Sequence, residues 1–138
     1  MINRIKSYIK YNSAPIVPLS IFLFLYIVNL KYHFIDNIIE QKIDILIDIE
    51  TSLIGILLTV LTIYLSFPKS ESVKIRMKKS GHNHILLSNV FIGIISFTVS
   101  LLVWLFWDNK VIVLLLFMCG LSNTLITGYY IAILSDYS

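Results

Sequence analysis

The chain has 138 residues, of which 57% are apolar and only 14% are charged. Soluble domains carry charge on about a quarter of their residues, so this balance excludes an ordinary soluble domain and predicts a single-domain membrane protein. The net charge of +3 conceals a strong segregation, because residues 1–12 and 68–84 are basic whereas residues 35–50 are acidic. The single cysteine, Cys119, lies within an apolar run, where it is expected to act as a small packed side chain.

The first predicted element is a membrane span over residues 16–34. Pro15 and Pro18 lie at its start, where a helix tolerates proline because the amides that are lost have no intrahelical partner. A basic start before an apolar block also resembles a signal peptide, but no small-residue cleavage site follows, so we expect an uncleaved span. The acidic segment 35–50 has too many carboxylates to cross lipid. It is predicted to be a helix outside the membrane, either separate from the second span or continuous with it.

The second predicted span, residues 51–67, is uncharged and carries a row of small side chains on one helical face. We call this row the small-residue stripe; it consists of Ser52, Gly55, Thr59, Thr62 and Ser66. Small faces are where membrane helices approach closely, because backbone packing replaces the missing hydrophobic drive. We expect it to press against a third-span stripe of the same rhythm, formed by Asn89, Gly93, Ser96 and Ser100.

A basic loop over residues 68–84 separates the second span from the third. Its candidate contacts with a partner protein or with anionic lipid are Lys69, Lys74, Arg76, Lys78 and Lys79. The third span, 85–107, ends in Trp104 and Trp107, which are typical interfacial anchors. The fourth span, 111–134, carries a further candidate packing row, Gly120, Thr124 and Gly128.

The distribution of charge predicts the orientation. Basic flanks stay in the cytoplasm, so the amino terminus and the loop 68–84 are expected inside, with two spans between them. The acidic segment then faces outside and the carboxyl terminus returns inside. The predicted fold is all-α: a polytopic four-transmembrane-helix bundle in a bacterial inner membrane, with both termini cytoplasmic.

The sequence offers no recognisable reaction chemistry. Proton-coupled transporters place titratable groups at membrane depth, and the three uncharged spans have none; the nearest acid, Glu50, is predicted at a span boundary. The tripeptide His82-Asn83-His84 matches the name of a nuclease family, but that family needs its histidines far apart, and no further metal ligands lie nearby. We expect no enzyme activity, no cofactor, no metal and no direct nucleic-acid binding.

Two classes of function remain open. The first is an interaction or sensor protein that sits in the lipid bilayer as a homo-oligomer and recruits or regulates a cytosolic partner protein. The alternative is a pore-forming or membrane-perturbing effector, such as a channel, a toxin or a holin-like protein. In an oligomer the two stripes, together with Asn123 and Thr127, would supply a wet lining. A bacteriocin-immunity protein fits the size and charge equally well.

The stretch from Glu50 to Leu87, ETSLIGILLTVLTIYLSFPKSESVKIRMKKSGHNHILL, resembles the membrane subunit of the Kiwa anti-phage defence system. The similarity covers the second span, its terminal proline and the basic loop that ends in Ser80-Gly81. It implies an oligomeric inner-membrane sensor of phage infection that works with a cytosolic, DNA-binding partner protein. It carries over no site residues.

Overall fold

The computed structural model describes residues 12–33, 42–66, 81–107 and 109–135. These residues form four helices: α1 (Ser13–Tyr32), α2 (Ile43–Ser66), α3 (His82–Trp107) and α4 (Lys110–Ser135). Each is long and apolar enough to cross a membrane, which needs roughly 20 apolar residues. The prediction of an all-helical chain with four candidate spans is therefore confirmed for the described residues.

The ends of the helices follow from local chemistry. Asn109 caps α4, since its Oδ1 accepts a hydrogen bond from the amide of Ile112 at 3.2 Å. Gly81 precedes α3 with a φ of 68°, a left-handed conformation that glycine adopts without strain. At the end of α1 the chain turns at His33, whose amide donates to the carbonyl of Asn29 at 2.9 Å. Proline is accommodated within α1 at Pro18.

The second helix is longer than its predicted span. It runs without interruption from Ile43 to Ser66, so the described part of the acidic segment is continuous with the span. Asp44 and Asp48 are exposed on this helix, whereas Glu50 is buried. Continuity was one of the two arrangements expected for this segment, but the burial of Glu50 was not expected.

The helices pack around α3 and α4, which make the most extensive contact. They are antiparallel, because Ser100 of α3 meets Val113 of α4 while Gly93 meets Asn123. Helix α1 packs mainly on α4, and α2 packs mainly on α3. The largest apolar cluster joins α2 and α3 through Leu57, Val90 and Phe97. Helix α2 lies at the edge, with only Glu50 and Leu57 buried.

Candidate functional site

The small-residue stripe lies on the open face of α2. All five of its residues are exposed, and no other helix in the described part of the chain comes within 4 Å of the position that a Cβ of Gly55 would occupy. At 3.6 residues per turn the stripe lies on the side opposite Glu50 and Leu57. The prediction that this stripe presses against the third span is therefore wrong within the chain.

The physical reason is that the hydroxyl groups of the stripe form hydrogen bonds within α2, while larger side chains make the contact between α2 and α3. Its hydroxyl groups donate to carbonyls one turn earlier in α2: Thr59 to Gly55 at 2.8 Å and Thr62 to Leu58 at 2.9 Å. Such hydroxyls need no partner from another helix. The contact with α3 is made instead by Leu57 with its half-buried neighbours Leu53, Ile54, Val60 and Leu61.

The third-span stripe, by contrast, faces the interior. Asn89, Gly93 and Ser100 are buried and Ser96 is half-buried. A Cβ at Gly93 would stand 3.0 Å from Cδ1 of Leu57 and 3.4 Å from Cβ of Asn123, so this position holds three helices close together. Small side chains here allow the close approach of α2 to α3 that the sequence predicted. The α2 residue at this contact is Leu57 rather than a member of the small-residue stripe.

The fourth-span row has both buried and exposed members. Gly120 is buried, and a Cβ there would stand only 2.5 Å from Cε1 of Phe97. Thr124 is half-buried and donates to the Gly120 carbonyl at 2.9 Å. Gly128 is exposed, with nothing within 4 Å of a Cβ position. Only Gly120 is thus required for close packing within the chain.

A polar cluster lies between α3 and α4, formed by Asn89, Asn123 and Thr127. All three are buried, and the antiparallel pairing that sets Gly93 against Asn123 places Asn89 near Thr127 one turn further along. The Asn89 amide donates to the carbonyl of Ile85 at 2.7 Å. The Asn89 Oδ1, both polar atoms of Asn123 and the Thr127 hydroxyl have no hydrogen-bond partner. The sequence left two roles open for these polar residues, helix packing and a pore lining, and their burial within the bundle fits packing.

Removing the Thr127 hydroxyl is expected to be harmless. Thr127→Val keeps the shape and deletes a buried group that has no partner, so the free energy of unfolding should stay unchanged or rise by about 1 kcal/mol. Ser100→Ala is the matched control. It deletes a hydroxyl that donates to the Val113 carbonyl at 3.0 Å and should cost about 0.6 kcal/mol. Unfolding in mixed detergent micelles measures both, and a larger loss for Thr127→Val than for Ser100→Ala would contradict the assignment.

The structure adds one site that the sequence analysis did not identify. Glu50 is fully buried, and neither of its carboxyl oxygens has a hydrogen-bond partner. Its side chain lies beside Ser100 of α3. A signal was present in the sequence, because Glu50, Leu57 and Tyr64 are spaced by seven residues and so share the face of α2 that packs on the bundle.

The basic candidates are outside the described residues. Lys69, Lys74, Arg76, Lys78 and Lys79 all fall in the segment 67–80, and their role stays a prediction. Within the described ranges, no three residues among His, Cys, Asp and Glu are grouped as metal ligands would be.

Comparisons with protein-family models, with curated proteins and with solved structures gave no match to this chain.

Proposed function

We propose that this chain is an integral membrane interaction protein that assembles with further copies of itself through the small-residue stripe of α2. The observation that carries the proposal is the placement of that stripe: five small residues in a row, exposed, on the side of α2 away from its own bundle. Contact with lipid does not require a row of small residues. Large apolar side chains, like Leu58 and Leu65 on the flank of the stripe, would cover a lipid-facing surface equally well.

The chemistry of the stripe suits a second copy of the same helix. In lipid, helices associate through close backbone packing, for which Gly, Ser and Thr leave room. The heptad offsets within the stripe, 52–59–66 and 55–62, favour a left-handed crossing like that of a coiled coil. Because Thr59 and Thr62 already donate to their own helix, the facing surfaces bring few polar groups that lack partners.

The charge pattern supports an orientation for this assembly. With the basic residues 1–12 and 68–84 in the cytoplasm of a bacterium, the polar part of the chain on that side is larger and positively charged. We place the docking surface for a cytosolic partner protein on the basic segment. The resemblance to the Kiwa membrane subunit supports a role in sensing phage infection.

Neutralising the basic segment is expected to weaken partner binding without disturbing membrane insertion. We predict that replacing Lys74, Arg76, Lys78 and Lys79 together with Gln reduces at least tenfold the amount of partner that co-purifies with the protein from phage-infected cells. The physical reason is the loss of the positive field that attracts an acidic surface.

The control for this experiment neutralises cations at the other predicted membrane face: Lys31, Lys42 and Lys110. This triple variant should retain the partner. Equal recovery from the basic-segment variant and from the unmodified protein would place the docking surface elsewhere, and a variant that no longer fractionates with membranes would show that the charges set topology.

A pore remains the second candidate, and the exposed hydroxyls of the small-residue stripe are the observation that favours it. The other lining residues considered for it, Asn89, Asn123 and Thr127, are enclosed within the bundle. Expression of a pore should depolarise cells, whereas an interaction protein should leave the membrane potential intact.

A further inference from the structure

The carboxyl group of Glu50 is enclosed by the bundle, about two turns from the start of α2. Glu50 is about 10 Å along α2 from Ile43, and its neighbour Ser100 is about 10 Å along α3 from Trp107, whose ring is exposed at the helix end. Ser100 in turn contacts Val113 of α4. We call Glu50, Ser100 and Val113 the Glu50 layer.

The Ser100 hydroxyl lies beside the carboxyl but does not donate to it. The Ser100 hydroxyl has one hydrogen, and it is donated to the Val113 carbonyl at 3.0 Å. Neither Oε1 nor Oε2 of Glu50 has a hydrogen-bond partner, and both are enclosed. In the described part of the chain the carboxyl is therefore buried without a hydrogen-bond donor.

No described positive charge compensates it either. On α4 the cation is Lys110, half-buried at the first residue of the helix, and no ion pair joins it to Glu50. On α3 the described titratable side chain is His84, at the far end of the helix. On α2 itself the charged neighbours Asp44 and Asp48 are exposed and would add negative charge. The α1 cation Lys31 is exposed and stacks on its own neighbour, Tyr32.

The free energies of the two forms of the carboxyl differ strongly in such a place. A carboxylate removed from water without a cation or a donor costs several kcal/mol. A neutral carboxylic acid avoids that cost and brings a hydrogen of its own, which the lone pairs of the Ser100 hydroxyl oxygen can accept. The layer thus offers no cation or hydrogen-bond donor to the carboxylate, but it offers the neutral acid a hydrogen-bond acceptor.

We propose that Glu50 is a proton-binding site: its carboxylate takes one proton from water and, as the neutral acid, donates its O–H to Oγ of Ser100. The bond formed is the carboxylic O–H and the bond broken is an O–H bond of a hydronium ion; when the site is emptied the proton passes back to water, so no other reactant is involved. A cleft of about 330 Å³, lined by Val103, Trp107, Asn109 and Ile112, opens at this end of the bundle. Val103 lies about one turn from Ser100, so the cleft comes within about one helical turn of the layer.

This proposal concerns the interior of one chain and does not depend on self-association or on a partner. Its consequence is that α2 rests on α3 at this layer only while the proton is bound. Raising the pH would place a charge between the two helices and weaken their contact, whereas lowering the pH would not.

Infrared spectroscopy of the full-length protein in lipid vesicles tests the proposal, because a neutral carboxylic acid has a C=O stretching band apart from the amide bands. The chain has three glutamates, Glu40, Glu50 and Glu71. In the double variant Glu40→Gln, Glu71→Gln, a ¹³C label on the glutamate δ-carboxyl reports Glu50 alone and leaves the layer unchanged. We expect a label-shifted band of the neutral acid at pH 7. Ser100→Ala should move this band, because its hydrogen-bond acceptor is lost.

Three results would overturn the proposal. The first is a label that reports only the ionised carboxylate at pH 7, and the second is a band that Ser100→Ala leaves where it was. The third is loss of the band when sodium ions are added at constant pH, which would make the layer a metal-cation site. Glu50→Gln and its control Asp48→Asn give a second readout. The thermal midpoint of the unmodified protein and of Asp48→Asn should fall as the pH rises from about 5 to about 7, while that of Glu50→Gln stays constant. A fall of the same size in all three would also overturn it.

Discussion

Gly120→Ala will destabilise the bundle, whereas Gly128→Ala, the same change two turns along the same helix, will not. The added methyl group at position 120 would stand 2.5 Å from Cε1 and 2.6 Å from Cδ1 of Phe97. That ring is fully buried and packs against Phe117 with a centroid separation of 6.0 Å, so it has little freedom to move aside. Overpacking of this kind costs about 1–3 kcal/mol.

The comparison of the two glycines isolates the packing effect. Both substitutions change helix propensity in the same way, but nothing lies within 4 Å of the Cβ position at Gly128. Unfolding free energies in mixed micelles should therefore fall for Gly120→Ala and stay level or rise slightly for Gly128→Ala. Equal effects at the two positions would mean that α3 and α4 do not approach as described.

A double-mutant cycle assigns the cost to one contact. Phe97→Leu alone should destabilise the protein by loss of buried apolar area, but it also vacates the space that the Gly120 methyl group needs. The double variant should then be more stable than the sum of the two single effects predicts, with a coupling of about 1 kcal/mol or more. Simple additivity would contradict the contact between Phe97 and Gly120.

Gly55→Leu is expected to dissociate the proposed assembly and to leave the individual chain folded. Among the described residues, no neighbouring side chain or other helix lies within 4 Å of a Cβ at this position, so the base of the new side chain meets no intrachain obstacle. It does occupy the centre of the small-residue stripe, where it would hold a second helix away. We expect the apparent association constant to fall at least tenfold, which corresponds to about 1.4 kcal/mol.

Energy transfer between donor- and acceptor-labelled copies in vesicles measures that association. Leu58→Phe is the matched control, since it adds volume at a position that is also exposed but lies on the flank of the stripe. It should associate as the unmodified protein does. Equal transfer in Gly55→Leu and Leu58→Phe would show that copies do not meet through this face, and an unmodified protein without transfer would remove the basis for self-association.

The sequence was sufficient for the helices but not for the faces they present. Apolar runs of spanning length fix the existence of four helices, because the backbone groups of such runs must be satisfied internally. The spacing of the small residues predicted that the stripe is a packing surface. Spacing does not determine which helix packs on it, and within the chain α2 contacts α3 through the large side chain of Leu57 instead.

The burial of two further sites, the fourth-span glycines and Glu50, also depends on which helix packs against them. Gly120 and Gly128 belong to one row in the sequence, yet only Gly120 lies under a ring contributed by another helix. Glu50 was assigned to the acidic segment by its charge, although its seven-residue offset from Leu57 placed it on the packed face. The assignment from charge alone did not predict the burial of Glu50, and the heptad spacing was the signal that would have predicted it.

Cysteine crosslinking in native membranes tests most directly whether copies meet through the small-residue stripe. In a Cys119→Ser background, single cysteines would be introduced at Ser52, Thr59 and Ser66 on the stripe, and at Leu58 and Leu65 on its flank. All five positions are exposed in the single chain. Oxidation should give disulfide-linked dimers at the three stripe positions and not at the two flanking ones. Dimers of equal yield at all five positions, or at the flanking pair alone, would contradict the proposed interface.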